Sequence, residues 1–423
     1  MKKKVLLLST LAMGLAFTAC TKDEVATVNG GKDTENKIIE EINSEDNVEY
    51  TPAVAKAWGN YMRIVGGLLV NDATTLYKDW TISYKGGKPY AQIFKEHNSD
   101  TEHLNSAYDC VSLLVTYMDH IADEVSTSKI GEPLKKYTTN WMSKENMKEG
   151  LYAVESWYSW HSRLDYTNNI LSIRNGYYGV YDKDFAHLST ATKNSLYTYI
   201  QAKNPALNKK VSSAIQESID AIQNIPQPFR NHINSNEAKK AQEACGNLNE
   251  LLAKDVQTFL EEHKNDDKGL DPIVTHIVDN VIVPIYTDLV KLNTKLNKEI
   301  IAFAENPTNE GFEKCCQAWM NARQPWETSE AYLFGPVKDK GLDPNMDTWP
   351  LDIDGIKNIL HSQKFGDLEW KGKFVEEDEE NPNALSPEDK KQAENIGAAQ
   401  SLRGYHTIEF LIFKNGKART IKK

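Results

Sequence analysis

Apolar residues recur every three or four positions along most of the chain beyond residue 48. Val54, Trp58, Tyr61, Val65 and Leu68 are spaced 4, 3, 4, 3. Leu104, Tyr108, Val111, Val115, Met118, Ala122 and Val125 keep the same rhythm. Val211, Ile215, Ile219 and Ile222 form another stripe, and Val278, Ile282, Ile285, Leu289, Leu292 and Leu296 form the clearest one. This spacing lays one apolar face of a helix on a core. Few windows alternate with period two, so the pattern predicts an all-α protein.

Polar stretches interrupt the stripes at 84–89 (YKGGKP), 225–228 (IPQP) and 263–272 (HKNDDKGLDP). The last combines Gly, Pro and a charge cluster and predicts a boundary between helical domains 48–265 and 266–423. Before residue 48 the character changes. Lys2, Lys3 and Lys4 precede an apolar run too short to span a bilayer, and small residues lead into Cys20. That is the layout of a lipoprotein signal over 1–19, with Cys20 the lipidated residue. A cleaved signal without lipid is the plainer alternative. Residues 20–47 are polar and acidic and predict a flexible tether with a reach of roughly 30 Å. The expected location is the bacterial cell envelope, lipid-anchored, at the outer membrane, with exposure on its outer face left open.

Charge narrows the partners. The chain carries a formal charge of −11, and loss of the signal with its three lysines takes it to −14. Phosphate backbones would be repelled, so nucleic acid is not an expected partner. Cys110, Cys245, Cys315 and Cys316 have no CxxC spacing. Scattered buried thiols are expected, with one disulfide left open. The acidic run 376–380 predicts a solvated loop, followed by a helix capped by Ser386 and Pro387.

Three stretches could carry chemistry. In 319–352, Trp319, Arg323, Trp326 and Glu330 fall on one predicted helix face, with Pro325 expected to kink the helix. Asp347 follows in a DTWPL bend, where it either caps or faces a cavity. The alternative is a buried ion-pair network under tryptophans. In 403–413, RGYHTIEFLIF, a helix sets His406 beside Glu409. The pair is either half of a metal site or a polar edge of the core, and two ligands alone do not hold a catalytic zinc. Gly404 permits close backbone approach. In 154–179, Glu155, Ser159, Ser162 and Asp165 fall near one predicted helix face, either a cleft wall or a solvated stripe. No GxGxxG, Walker or HExxH pattern occurs.

Taken together, ARQPWETSEAYLFGP, DTWPLD and GYHTIEFLIF resemble the signature of the imelysin-like family, whose glycine–aromatic–histidine–x–x–glutamate motif is matched by Gly404, Tyr405, His406 and Glu409. HIADEVSTSKIGEPL and VESWYSWHSRLDYTNNI resemble segments that usually follow this motif but here precede it. The resemblance therefore implies a circularly permuted chain. It also implies two packed up-and-down helical bundles with a cleft between them, lined by His406, Glu409, Arg323, Trp326, Glu330 and Asp347 on one side and Glu155, Ser159 and Asp165 on the other. A divalent metal, iron or zinc, on His406 and Glu409 is the implied cofactor. Three functions follow from it: an envelope lipoprotein binding a metal, metal chelate or small ligand in iron or haem acquisition; an HxxE metallopeptidase; or a non-catalytic scaffold among envelope uptake partners.

Overall fold

The computed structural model describes residues 36–42, 48–139, 143–186, 190–375 and 385–422. The signal, Cys20 and the acidic run 376–380 lie outside these. The regular elements among the described residues are helices apart from one isolated bridge and one hairpin, Phe413–Lys414 with Lys417–Ala418, so the all-α expectation holds. The helices that matter for the site are α1 (Ala55–Thr81), α2 (Ala107–Glu124), α3 (Ser162–Tyr178), α4 (Pro205–Gln223), α5 (Asn236–Glu250), α6 (Val283–Glu305), α7 (Asn309–Glu327), α8 (Leu342–Asp347), α9 (Pro387–Gln400) and α10 (Gly404–Ile412).

The stripes become the core. Trp58, Tyr61 and Val65 of α1 are buried, as are Val211, Ile215, Ile219 and Ile222 of α4. Ile285, Leu289 and Leu296 of α6 are buried as well, while Leu292 is only partly covered. Each large apolar side chain removed from water in this way contributes about 1.5–3 kcal/mol. Caps set the starts: Ser106 accepts from the Asp109 amide and Ser386 from the Asp389 amide. Helix α6 is the end of a continuous run from Asp267 to Glu305 whose most apolar window has mean hydropathy 1.4 and is half buried. It is long and apolar enough to cross a bilayer, yet it packs along α1 and α7.

Packing does not follow chain order. Helix α1 lies along α6 and α10, so the first long helix sits with the last ones. Helices α2, α3, α4 and α5 pack on one another in a second set, and α3 reaches across to α7. Buried side chains of both sets form one continuous apolar cluster. All four cysteines beyond residue 20 are free and buried.

Two local expectations are corrected. Residues 36–42, expected in the tether, are helical, because Ile39 and Ile42 share an apolar face that the core buries. The hairpin after α10 was not predicted; it is only two residues a side, too short for a period-two signal. Its turn, Asn415–Gly416, has positive φ at both positions (49° and 72°), the backbone such tight hairpins require.

Candidate functional site

The site forms where α7, α8, α10 and the turn preceding α3 converge. Helix α10 can come this close because residue 404 is glycine. Its φ is +86°, and a Cβ there would lie 2.4 Å from the Met346 carbonyl oxygen. Wholly buried His406 then points both nitrogens at carboxylates. Nδ1 lies 2.8 Å from Glu409 Oε2, while Nε2 lies 3.1 Å from Asp347 Oδ1 and 3.4 Å from Glu155 Oε1. The Trp349 ring stands edge-on to the imidazole, centroids 4.9 Å apart.

Glu409 is saturated. Its Oε1 accepts from the Tyr158 amide (3.1 Å), the Ser159 amide (2.7 Å) and the Ser159 hydroxyl (2.7 Å). Those donors belong to a turn, not to a helix. The expectation that Glu155, Ser159, Ser162 and Asp165 share one helix face is therefore corrected: α3 begins only at Ser162. Ser156 (φ +52°) and Trp160 (φ +61°) bend the chain through the left-handed region, at about 1–3 kcal/mol each. The turn is held from outside. Arg230 donates to the Trp157 carbonyl (2.7 Å) and stacks on the Trp157 ring, and the Gly416 amide of the hairpin donates to the Tyr158 carbonyl (2.9 Å). A Cβ at Gly416 would lie 2.6 Å from the Trp160 ring.

Arg323 is the central cation. Its guanidinium pairs with Glu155 Oε1 (2.6 Å), Asp165 Oδ2 (3.1 Å), Asp347 and Glu327. The Glu327 contact, at 2.8 Å, is an ion pair not aligned as a hydrogen bond. Trp326 donates to Asp347 Oδ2 (2.7 Å), and His161 Nδ1 lies 2.7 Å from Asp165 Oδ1. A second cation, Lys129, reaches Glu155 Oε2 at 2.8 Å from the π-helical turn Val125–Gly131 that continues α2. Such π segments are frequent at functional sites.

The helical face predicted for Trp319–Glu330 also needs correction. Helix α7 runs through Pro325 and ends at Glu327, so Glu330 lies in the following 3-10 turn Glu330–Tyr332. Glu327, one turn on from Arg323, takes the ion pair, and Glu330 faces a cavity instead.

The electrostatics sort the acids. Burial alone would raise Glu155, Asp165 and Asp347. Several groups together outweigh it: Arg323, His161 and Ser156 at Asp165, Arg323, His406 and Lys129 at Asp347, and Lys129, His406 and Arg323 at Glu155, so all three sit below the usual carboxylate range. Burial wins at Glu327 and Glu330, which are pushed well up, and lifts Asp343 to about 8 with help from Glu124 and Asp347. Burial and Arg323 would lower His406, but hydrogen bonds to Asp347, Glu155 and Glu409 together hold it well above the ordinary imidazole value. Its proton therefore occupies the place a cation would take.

The donor set fits a metal ion. One oxygen each of Glu155 and Asp347 and one His406 nitrogen lie within 4.8 Å of one another. Mixed imidazole and carboxylate suits iron or zinc. An Nδ1–H held by a carboxylate is the usual support for an imidazole ligand bound through Nε2.

All nine residues singled out in the sequence lie in or beside this cluster, directly bonded except Glu330. Sequence reasoning missed Lys129, Ser156, Glu327, Asp343 and Trp349. Glu327 was findable, because it stands four residues after Arg323. Ser156 was not, because nothing in its neighbours announces a left-handed serine.

A helical body with a buried His-x-x-Glu pair facing acids from another segment is the class defined so far. The chain belongs to the imelysin (peptidase M75) family, whose model matches residues 33–254 and 282–423. A crystal structure of an imelysin peptidase from Bacteroides ovatus is 46% identical, covering 89% of this chain and 99% of that one, with a TM-score of 0.80. Iron-regulated protein A of Synechococcus elongatus is 40% identical over 80 residues, 19% of this chain. This chain spans 22% of the length of that curated relative.

Proposed function

We propose that this protein is a metal-binding lipoprotein of the cell envelope that serves iron acquisition. The observation that carries the reading is the convergence of Glu155, Asp347 and His406 on one small volume. In this reading Glu409 is not a ligand. It orients His406 through Nδ1, and the metal partners of the imidazole are Glu155 and Asp347. The ion supplies a charge that replaces the His406 proton and relieves the crowded carboxylates. Arg323, already bonded to both ligands, competes with it and can keep Asp165 and Glu327 as partners. Binding is therefore expected to weaken as pH falls, since ligand protonation competes with the metal. The likeness to an iron-regulated protein supports iron as cargo. The signal and Cys20 support a lipid anchor at the outer membrane, with envelope uptake proteins as partners. The packing of α1 against α6 and α10 supports a circular permutation of the family fold.

A peptidase would have to bring a polypeptide to an imidazole with no exposure, beside carboxylates with side-chain exposures of 6% and 3%. That burial favours storage or transfer of a small ion over peptide cleavage. The test is calorimetric titration of the metal-stripped protein with Fe(II) and with Zn(II), alongside a peptide-cleavage assay. Stoichiometric binding that falls at least a hundredfold in His406→Ala, with no turnover, supports the proposal. Unchanged affinity in that variant, or metal-dependent cleavage that it abolishes, refutes it.

A further inference from the structure

Glu330 has no role in the cluster around Arg323. It is 6% exposed, and among the described residues no hydrogen bond or ion pair reaches its carboxylate. Its oxygens face open cavity rather than a protein donor. It lines a cavity of about 240 Å³ shared with Glu124, Lys129, Asp343 and Asp347. A second cavity of about 270 Å³ shares Glu124, Glu330 and Asp343 with the first and extends past His120 and Lys338. Asp343 likewise has no hydrogen-bond or ion-pair partner among the described residues, and the Glu124 side chain is 50% exposed. Lys129, the nearby cation, spends its contacts on Glu155 at 2.8 Å and Glu124 at 3.5 Å. A Glu330 oxygen comes within 4.8 Å of oxygens of Glu327 and Asp347.

We propose that Glu330 and Asp343, with Glu124 at the mouth, form a second cation site built only of oxygens, with Asp347 standing between it and the inner set. It rests on the metal-binding reading above, because it places a second cation beside the first. A donor set made only of carboxylate oxygens selects hard divalent ions such as Mn²⁺ or Ca²⁺, whereas the imidazole of the inner set suits softer ones. The cavity is lined both by half-exposed Glu124 and by buried Asp347, a ligand of the inner set, so the outer site adjoins the inner one. The unpartnered Glu330 carboxylate is stabilised by the cation it receives.

The probe is Mn²⁺ added to the metal-stripped full chain, with free Mn²⁺ counted by electron paramagnetic resonance. Wild type is expected to bind two ions per chain. Glu330→Gln keeps the shape of a side chain that bonds nothing, and should fold and bind one. Asp343→Asn should weaken the same ion at least tenfold. His406→Ala should lose the other ion and keep this one. Binding in Glu330→Gln equal to wild type overturns the proposal, as does loss of both ions in His406→Ala. If His406→Ala binds both ions while Glu330→Gln loses one, the inner site falls and the outer one stands.

Discussion

Replacing Arg323 with methionine tests the electrostatic design most directly. The variant keeps the bulk of the side chain and strands four carboxylates, Glu155, Asp165, Glu327 and Asp347, that now share one guanidinium. With charge centres near 4 Å and an effective dielectric near 20, each pair is worth about 4 kcal/mol before desolvation. Losing several such pairs outright would approach the whole stability of a typical domain, about 5–15 kcal/mol. The carboxylates escape by taking up protons, at about 1.4 kcal/mol per pH unit. The net cost at pH 7 is then that of a broken buried pair, about 3–5 kcal/mol, or roughly 4–6 °C in Tm for a chain of this length. The pH dependence gives the reasoning away. In wild type, Glu155, Asp165 and Asp347 sit below their unfolded values, so they stabilise at neutral pH, and that stability is lost only as pH falls through the folded values. Without Arg323, burial lifts Asp165 and Asp347 above their unfolded values, while Lys129 still holds Glu155. The two aspartates then destabilise above those lifted values, and the penalty fades as pH falls towards the unfolded ones. Thermal and urea unfolding at pH 5, 6, 7 and 8 should therefore show a deficit that shrinks towards pH 5. A deficit below about 1 kcal/mol, or one constant across that range, refutes the argument.

Four other outcomes are expected. Glu409→Ala should weaken metal binding about ten- to a hundredfold in calorimetry, since it removes only the support of Nδ1; no change would mean His406 is oriented by something else. Gly404→Ala combines a positive φ with a Cβ 2.4 Å from a carbonyl, and should destabilise by about 2–4 kcal/mol in urea unfolding. Asp119 is lifted to about 6, mainly by burial and then by Asp123. Asp119→Asn should therefore gain stability above pH 6, by less than the full shift implies because the carboxylate is partly exposed to screening solvent, the gain vanishing near pH 4, as a urea series across pH would record. Arg230→Met removes the ring stack and the bond to the Trp157 carbonyl; it should lower metal affinity as well as Tm, because it loosens the turn that fixes Glu409.

Much of this was written in the spacing of apolar residues. The stripes of α1, α4 and α6 face the core as their period requires, and the caps at Ser106 and Ser386 are where hydroxyls precede helices. The site was legible as a set of residues, not as a geometry. Periodicity carried Glu155 to Asp165 onto one helix, because sequence alone does not reveal a turn whose left-handed residues are Ser156 and Trp160. Such a turn survives only when Glu409, Arg230 and Gly416 hold it, and these lie 70 or more positions away. Lys129 escaped notice for a related reason. Its direction is set by a π-helical turn, and no 3.6-residue wheel would aim it at Glu155.

The turn at 156–160 and the helix at 404–412 are strangers along the chain, and Glu409 of the helix bonds the Tyr158 and Ser159 amides of the turn. Neither can be right while the other is wrong. If the site binds a metal as proposed, its capacity reports on long-range assembly: a half-folded molecule, however helical by circular dichroism, holds its acids and its imidazole in separate places.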